Sequence, residues 1–165
     1  MSKLTGKQEI KSILFLYLFA AFLYGLDRVT KLLVISKIKP DASIPVVSGI
    51  FHITYVQNTG VAFGLFKDIP FFFICVGLLA VILIVSFLVK KYDKICFRDR
   101  IALVTILSGT LGNLVDRIRH GYVVDFLDFR VWPVFNIADS AICIGVFLLM
   151  VSFFTNSTTR LTRNA

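Results

Sequence analysis

Apolar residues fall in four long runs, at about residues 12–35, 69–89, 101–116 and 137–154, with short polar segments between them. A helix needs about 20 mostly apolar residues, in a range of about 17–25, to cross the hydrocarbon of a bilayer. The second run is the cleanest. The first and third reach the length once their polar ends, at residues 27–31 and 113–116, count as helix. The pattern predicts an all-α integral membrane protein with four transmembrane helices, forming one membrane-embedded domain over residues 1–165. The first run reads as a retained helix and not a cleaved leader. Its apolar stretch is long, no small-residue cleavage site follows, and Asp27 and Lys31 continue the helical register.

The segment between the first two runs is too long for a turn. Phe51-His52-Ile53-Thr54-Tyr55-Val56-Gln57 alternates bulky apolar with polar residues and is rich in β-branched and aromatic types, which predicts a strand. Pro40, Pro45 and Gly49 punctuate its approach. A small β element at the membrane surface follows. In the third run Thr105, Ser108, Gly109, Gly112, Asn113 and Asp116 recur at helical spacing and form one stripe. Its inner half reads as a packing face, since small residues four apart let helices approach closely. At its outer end the stripe opens into a polar pocket.

Composition agrees with the membrane reading. Of the 165 residues 57% are hydrophobic and seventeen are Phe, and the mean hydropathy is +0.84. A soluble domain sits nearer half apolar. The net charge of +8 suggests topology and not nucleic-acid binding, because the basic residues cluster beside apolar runs. Lys3, Lys7 and Lys11 lie at the head, Lys90, Lys91, Lys94, Arg98 and Arg100 between the second and third runs, and Arg160 and Arg163 in the tail. The positive-inside rule puts these three segments in the cytoplasm and residues 36–68 and 116–135 outside. Cys75, Cys96 and Cys143 have no CxxC spacing, and His52 and His120 are isolated. No metal, cofactor or disulfide framework is expected.

The hallmark polar clusters then all reach the outer side, where stray ionisable groups are costly and convergence marks a site. Asp139 stands in the first turn of the fourth run with Asn136 as its N-cap. Alone it reads as a helix-dipole partner. Asp125, in Tyr122-Val-Val-Asp-Phe-Leu-Asp-Phe, reads alone as part of an amphipathic interfacial stretch. Together they form a carboxylate pair at one depth. Two close carboxylates do not readily both ionise, so one keeps a proton. The ionised partner, for which Asp139 is the candidate, serves as base toward water, and the protonated one donates to a carbonyl oxygen. Asp128 is a rival for the pair. Asp27 and Lys31, spaced i, i+4, read as a structural ion pair at a helix end, and Asp116 as pairing locally with Arg117 or Arg119. Two other classes compete. A proton-coupled transporter would carry acids near mid-span and internal repeats. A non-enzymatic lipid-binding or assembly protein would explain the aromatic surface but not the paired acids.

Five blocks bear a family resemblance: Asp27-Arg-Val-Thr-Lys31, Asn58-Thr-Gly-Val-Ala-Phe-Gly64, Gly112-Asn-Leu-Val-Asp-Arg117, Val123-Val-Asp-Phe126 and Phe135-Asn-Ile-Ala-Asp139. In this order, and across nearly the whole chain, they resemble the lipoprotein signal peptidase (signal peptidase II) family. The resemblance implies a membrane aspartyl endopeptidase with its dyad at Asp125 and Asp139. It implies cleavage just before the diacylglyceryl-modified cysteine of a prolipoprotein, in the bacterial cytoplasmic membrane. Asn58, Gly60, Asn113, Arg117 and Asn136 would bind substrate or support the dyad. Asp27, Lys31, Gly112, Asp116 and Ala138 would be structural members of the motifs. Signal peptides and membrane lipids are the expected partners, and a monomer the expected state.

Overall fold

The computed structural model describes residues 6–60 and 69–163. Lys3 and residues 61–64 of the second motif lie outside them. The elements in chain order are α1 (Gly6–Lys37), β1 (Ser43–Val47), β2 (Phe51–Asn58), α2 (Pro70–Lys91), α3 (Phe97–His120), β3 (Val123–Asp128) and α4 (Ile137–Arg163). All four helices contain a segment long and apolar enough to cross a membrane. Each of α1, α3 and α4 runs past the apolar stretch that announces it, because polar and basic residues at the ends continue the helical register. The expected four-helix membrane protein with a small β element is the fold observed.

Burial distinguishes the helices. None of the most apolar window of α2 is buried in the protein, whereas half of that of α3 is. A helix apolar all round and unburied by its own chain is suited to lipid. Helix α3 stands at the centre and touches α1, α2 and α4. Its small-residue stripe is the reason it can. A Cβ on Gly112 would sit 2.6 Å from Asp27 Oδ2, and one on Gly145 of α4 would sit 2.7 Å from the Ala102 carbonyl. Gly109 lies closer still to the Ala138 carbonyl. Ala138 is itself buried against Gly112, so the motif alanine is the small partner in a close α3–α4 crossing.

The β element is larger than the sequence pattern suggests. The expected strand is β2. It pairs antiparallel with β1 on one side and β3 on the other, in the order β1-β2-β3. The third strand was legible only as an amphipathic stretch, because four of its first five residues are Val, Val, Phe and Leu and hide the alternation. All but one of its six residues are buried. Val124 and Phe126 pack with Tyr55 and with Val34 of α1 in a small core that fixes the sheet on the end of α1. Gly121, at φ +78°, closes α3 by donating its N–H to the Arg117 carbonyl at 3.0 Å and lets the chain enter β3 at once.

Candidate active site

Asp125 lies in the middle of β3, opposite Val56 of β2. Its diagonal neighbour across the strands is Asn58, which pairs with Val123, and Asn58 Nδ2 donates to Asp125 Oδ2 at 2.8 Å. Past β3 the chain folds back. Phe135 accepts from the Phe126 and Leu127 amides at 2.9 and 2.7 Å and donates to the Leu127 carbonyl at 3.1 Å. That return sets the start of α4, and with it Asp139, beside Asp125.

Asn136 joins the two acids. Its Oδ1 accepts from the Asp139 amide at 2.8 Å, and its own amide donates to Asp139 Oδ2 at 3.3 Å. This is a reciprocal capping box with Asp in place of the usual Glu or Gln. Capping leaves the Asn136 NH2 turned the other way, where it donates to Asp125 Oδ1 at 2.6 Å, with Asn113 Oδ1 and the Val124 carbonyl also in reach. From α3, Asn113 Nδ2 donates to Asp139 Oδ1 at 2.7 Å. Each oxygen of both carboxylates therefore accepts a hydrogen bond from a fixed amide. Asp125 is 2% exposed. Burial, and then the like charge of Asp139, push its carboxyl up to about 7, against the hydrogen bonds from Asn58 and Asn136.

Beneath this pair lies a buried ionic cluster. Lys31 meets Asp27 at 3.0 Å and Asp116 at 2.8 Å, and Arg28 meets Asp27 at 2.9 Å and Asp116 at 2.6 Å. Arg28 also donates to the Gly112 carbonyl at 3.0 Å. Asp27 Oδ1 accepts from the Ala138 amide at 3.0 Å, so an acid of α1 satisfies one of the free N–H groups at the start of α4.

Two expectations need correction. Asp116 pairs with Arg28 and Lys31 of α1, not with Arg117 or Arg119. Neighbours on a helix point about 100° apart, so Asp116 faces α1 while Arg117 faces the cavity and Arg119 is exposed. The Asp27–Lys31 pair is not an interfacial helix-end pair, because both side chains are 1% exposed. Arg28 has no assigned role in the sequence reading, although it sits inside the first motif. Only the packing of α1 on α3 reveals its partners. Asp128 is not beside Asp139. Three residues apart on a strand, Asp125 and Asp128 point to opposite faces. Asp128 accepts from Thr54 Oγ1 at 2.6 Å and holds the Arg130 turn through that residue's amide at 2.8 Å. These bonds keep its carboxyl below the usual carboxylate value.

A cavity of about 600 Å³ opens beside the acids, lined by Asn58, Arg117, Asp125, Trp132 and Asp139 among others. Arg117 donates to the Gly60 carbonyl at 3.3 Å and lies over the Phe73 ring. Gly60 in turn donates its amide to Asn58 Oδ1 at 3.0 Å. Phe135 and Cys143 also line the cavity. Neither could be assigned from spacing, since an aromatic and a thiol in apolar surroundings read as packing. Among the described residues no group of three His, Cys, Asp or Glu side chains is placed to hold a metal ion.

Fold and site together define a multi-pass membrane protein with an acid-lined cavity where the bundle meets its sheet. The family described as "Signal peptidase (SPase) II" matches residues 19–155. A lipoprotein signal peptidase of Halothermothrix orenii is 46% identical over 82% of this chain and 92% of its own length. One of Fusobacterium nucleatum is 42% identical over 92% and 93%. A solved bacterial membrane enzyme, determined by the in meso method at 2.3 Å resolution, superposes with a TM-score of 0.81 at 31% identity, covering 88% of this chain and 90% of its own. A second, at 1.9 Å, gives 0.75 at 32% identity over 84% and 92%. The chain belongs to the signal peptidase II family and is a bacterial membrane peptidase.

The site yields a direct test of coupling between the acids. Asp139→Asn removes the like charge that helps raise Asp125, so the Asp125 titration midpoint should fall from about 7 toward the ordinary carboxylate value. Carboxyl 13C NMR of labelled protein in micelles reads this. A midpoint that does not move would mean the two acids do not sense each other.

Proposed function

We propose that this protein removes signal peptides from lipoproteins by aspartyl hydrolysis at Asp125 and Asp139, cutting just before a diacylglyceryl-modified cysteine. Family membership supports the substrate class. The observation that carries the mechanism is the pair itself: two carboxylates bridged by Asn136 at the wall of one cavity. Asp125, raised by burial, carries the proton below about pH 7 and donates it to the scissile carbonyl oxygen. Asp139 takes a proton from the attacking water, whose oxygen bonds to the carbonyl carbon. Collapse of the tetrahedral intermediate breaks the C–N bond, and a carboxyl proton passes to the leaving amine. Ownership of the proton belongs to the coupled pair rather than to one residue. Arg117 and the Asn58–Gly60 turn form the wall against which an extended peptide would lie.

Asp125→Asn and Asp139→Asn should each lower kcat by about 10⁴-fold while the protein stays folded and inserted. The double variant should be little worse than either, because the acids act as one unit. Asp128→Asn should keep substantial activity, its carboxylate facing away. An inactive Asp128→Asn beside an active Asp125→Asn would reverse the pairing.

The lipid should matter beyond membrane partitioning. Each buried methylene contributes about 0.8 kcal/mol of anchoring, and an anchored cysteine holds the scissile bond at the depth of the acids, lowering the cost of orientation. One precursor, with and without its diacylglyceryl group in the same bilayer, should differ strongly in initial rate. Equal rates would show that the enzyme reads peptide alone.

The orientation we propose puts both ends and residues 90–100 in the cytoplasm, with the sheet and acids on the opposite side, from the density of Lys and Arg. A cysteine introduced at Lys94 should resist an impermeant thiol reagent added to intact cells. Efficient labelling there would invert the topology.

A further inference from the structure

Lys31 reaches beyond the ionic cluster. An ammonium has three N–H donors and no acceptor. Here they meet Asp27, Asp116 and, at 3.0 Å, Asn113 Oδ1. An amide that faces an ammonium must present its oxygen, so Lys31 decides which way Asn113 is turned. Asn136 Nδ2 approaches the same oxygen at 3.1 Å. The Asn113 NH2 is left pointing at Asp139 Oδ1, 2.7 Å away. Turned over, Asn113 would set donor against donor at Lys31 and oxygen against oxygen at Asp139.

We infer that Lys31 is a positioning residue for the reaction, acting through Asn113 to hold the Asp139 carboxylate in register with Asp125. This rests on the assignment of those two acids as the reacting pair. Lys31 is 1% exposed and does not line the cavity, so it cannot act by touching substrate. The competing role is plain neutralisation of Asp27 and Asp116. Neutralisation can be restored by removing an acid, whereas orientation of Asn113 cannot.

The discriminating variant is Asp27→Asn with Lys31→Met. It removes one charge of each sign and leaves the Arg28–Asp116 pair balanced. The charged groups then facing the position are Arg28 of α1, Asp116 and Arg117 of α3, Asp125 of β3 and Asp139 of α4. Folded and inserted, the double variant should show an unchanged KM and a kcat about 10–100-fold lower, the usual cost of losing an orienting partner behind a reacting group. Its bell-shaped pH profile should move to higher pH, since the Lys31 charge opposes the upward push on Asp125. Asn113→Leu added to this variant should cost less than Asn113→Leu alone. A native kcat at the double variant's own pH optimum would reduce Lys31 to a counter-ion, since loss of its charge alone moves the profile. If that variant does not fold, the unaltered enzyme decides. With 15N in its lysine side chains, the Lys31 resonance should shift when a non-cleavable, hydroxyl-bearing lipopeptide occupies the acids, and an unmoved resonance overturns the inference. Asp125→Asn serves as the separate control. If it stays active, the acid assignment itself fails, while a failed Lys31 test beside an inactive Asp125→Asn leaves that assignment standing.

Discussion

Four charges share one buried cluster in this protein, Asp27, Arg28, Lys31 and Asp116, and the rest of the structure depends on their neutrality. Lys31, Asp27 and Asp116 are almost wholly enclosed. Removing one member of such a set leaves an uncompensated charge and costs about 3–5 kcal/mol. The cluster therefore tolerates one arrangement of α1 against α3, the one in which Asp27 lies against Gly112 and Arg28 reaches its carbonyl. Asp27 then uses its remaining oxygen on the first turn of α4. Three helices are locked together at one end by groups that lipid could not solvate.

The acid pair inherits its order from that lock. Its amides have no freedom to flip. Asn136 is fixed by capping α4, Asn113 by an ammonium, and Asn58 by the Gly60 amide. In the proposed reaction, donors already turned toward the carboxylates would need no reorganisation when charge moves between them, and such preorganised dipoles are usually the largest electrostatic contribution to catalysis. The arrangement also explains why the motif residues differ in kind. Gly112 and Ala138 are small because the acids and helix backbones meet there, Asp116 and Lys31 neutralise each other, and of the motif acids only Asp125 and Asp139 line the cavity.

The sheet does a different job. It is small, with a core of a few side chains against α1, yet it carries Asp125 and Asn58 on adjacent strands. Strand alternation separates Asp125 from Asp128, so one strand offers an acid to the cavity and another to a turn without mixing their roles. Rigid elements hold such side chains more accurately than loops do. The exposed Val131 and Trp132 beside it belong to the short return that brings Asp139 back to Asp125.

Hydropathy alone carried the four spans, because lipid admits few alternatives to helices of that length. The alternation of residues 51–57 carried β2, and helical spacing carried the α3 stripe. The candidate acids were legible because ionisable groups at membrane ends are few. The sequence left other matters open. It could not say that β3 is a strand, since a strand buried on both faces loses its alternation. Nor could it choose between local partners for Asp116 and partners on another helix, because pairing across α1 and α3 depends on how they cross. The motif resemblance had already pointed to Asp125 rather than Asp128; the opposite facing of those two acids, the lining by Cys143 and the link from Lys31 through Asn113 to Asp139 came only from tertiary structure. Residue types and spacings specify which face of an element is polar. Which polar face meets which is decided by the close packing that Gly109, Gly112 and Gly145 permit.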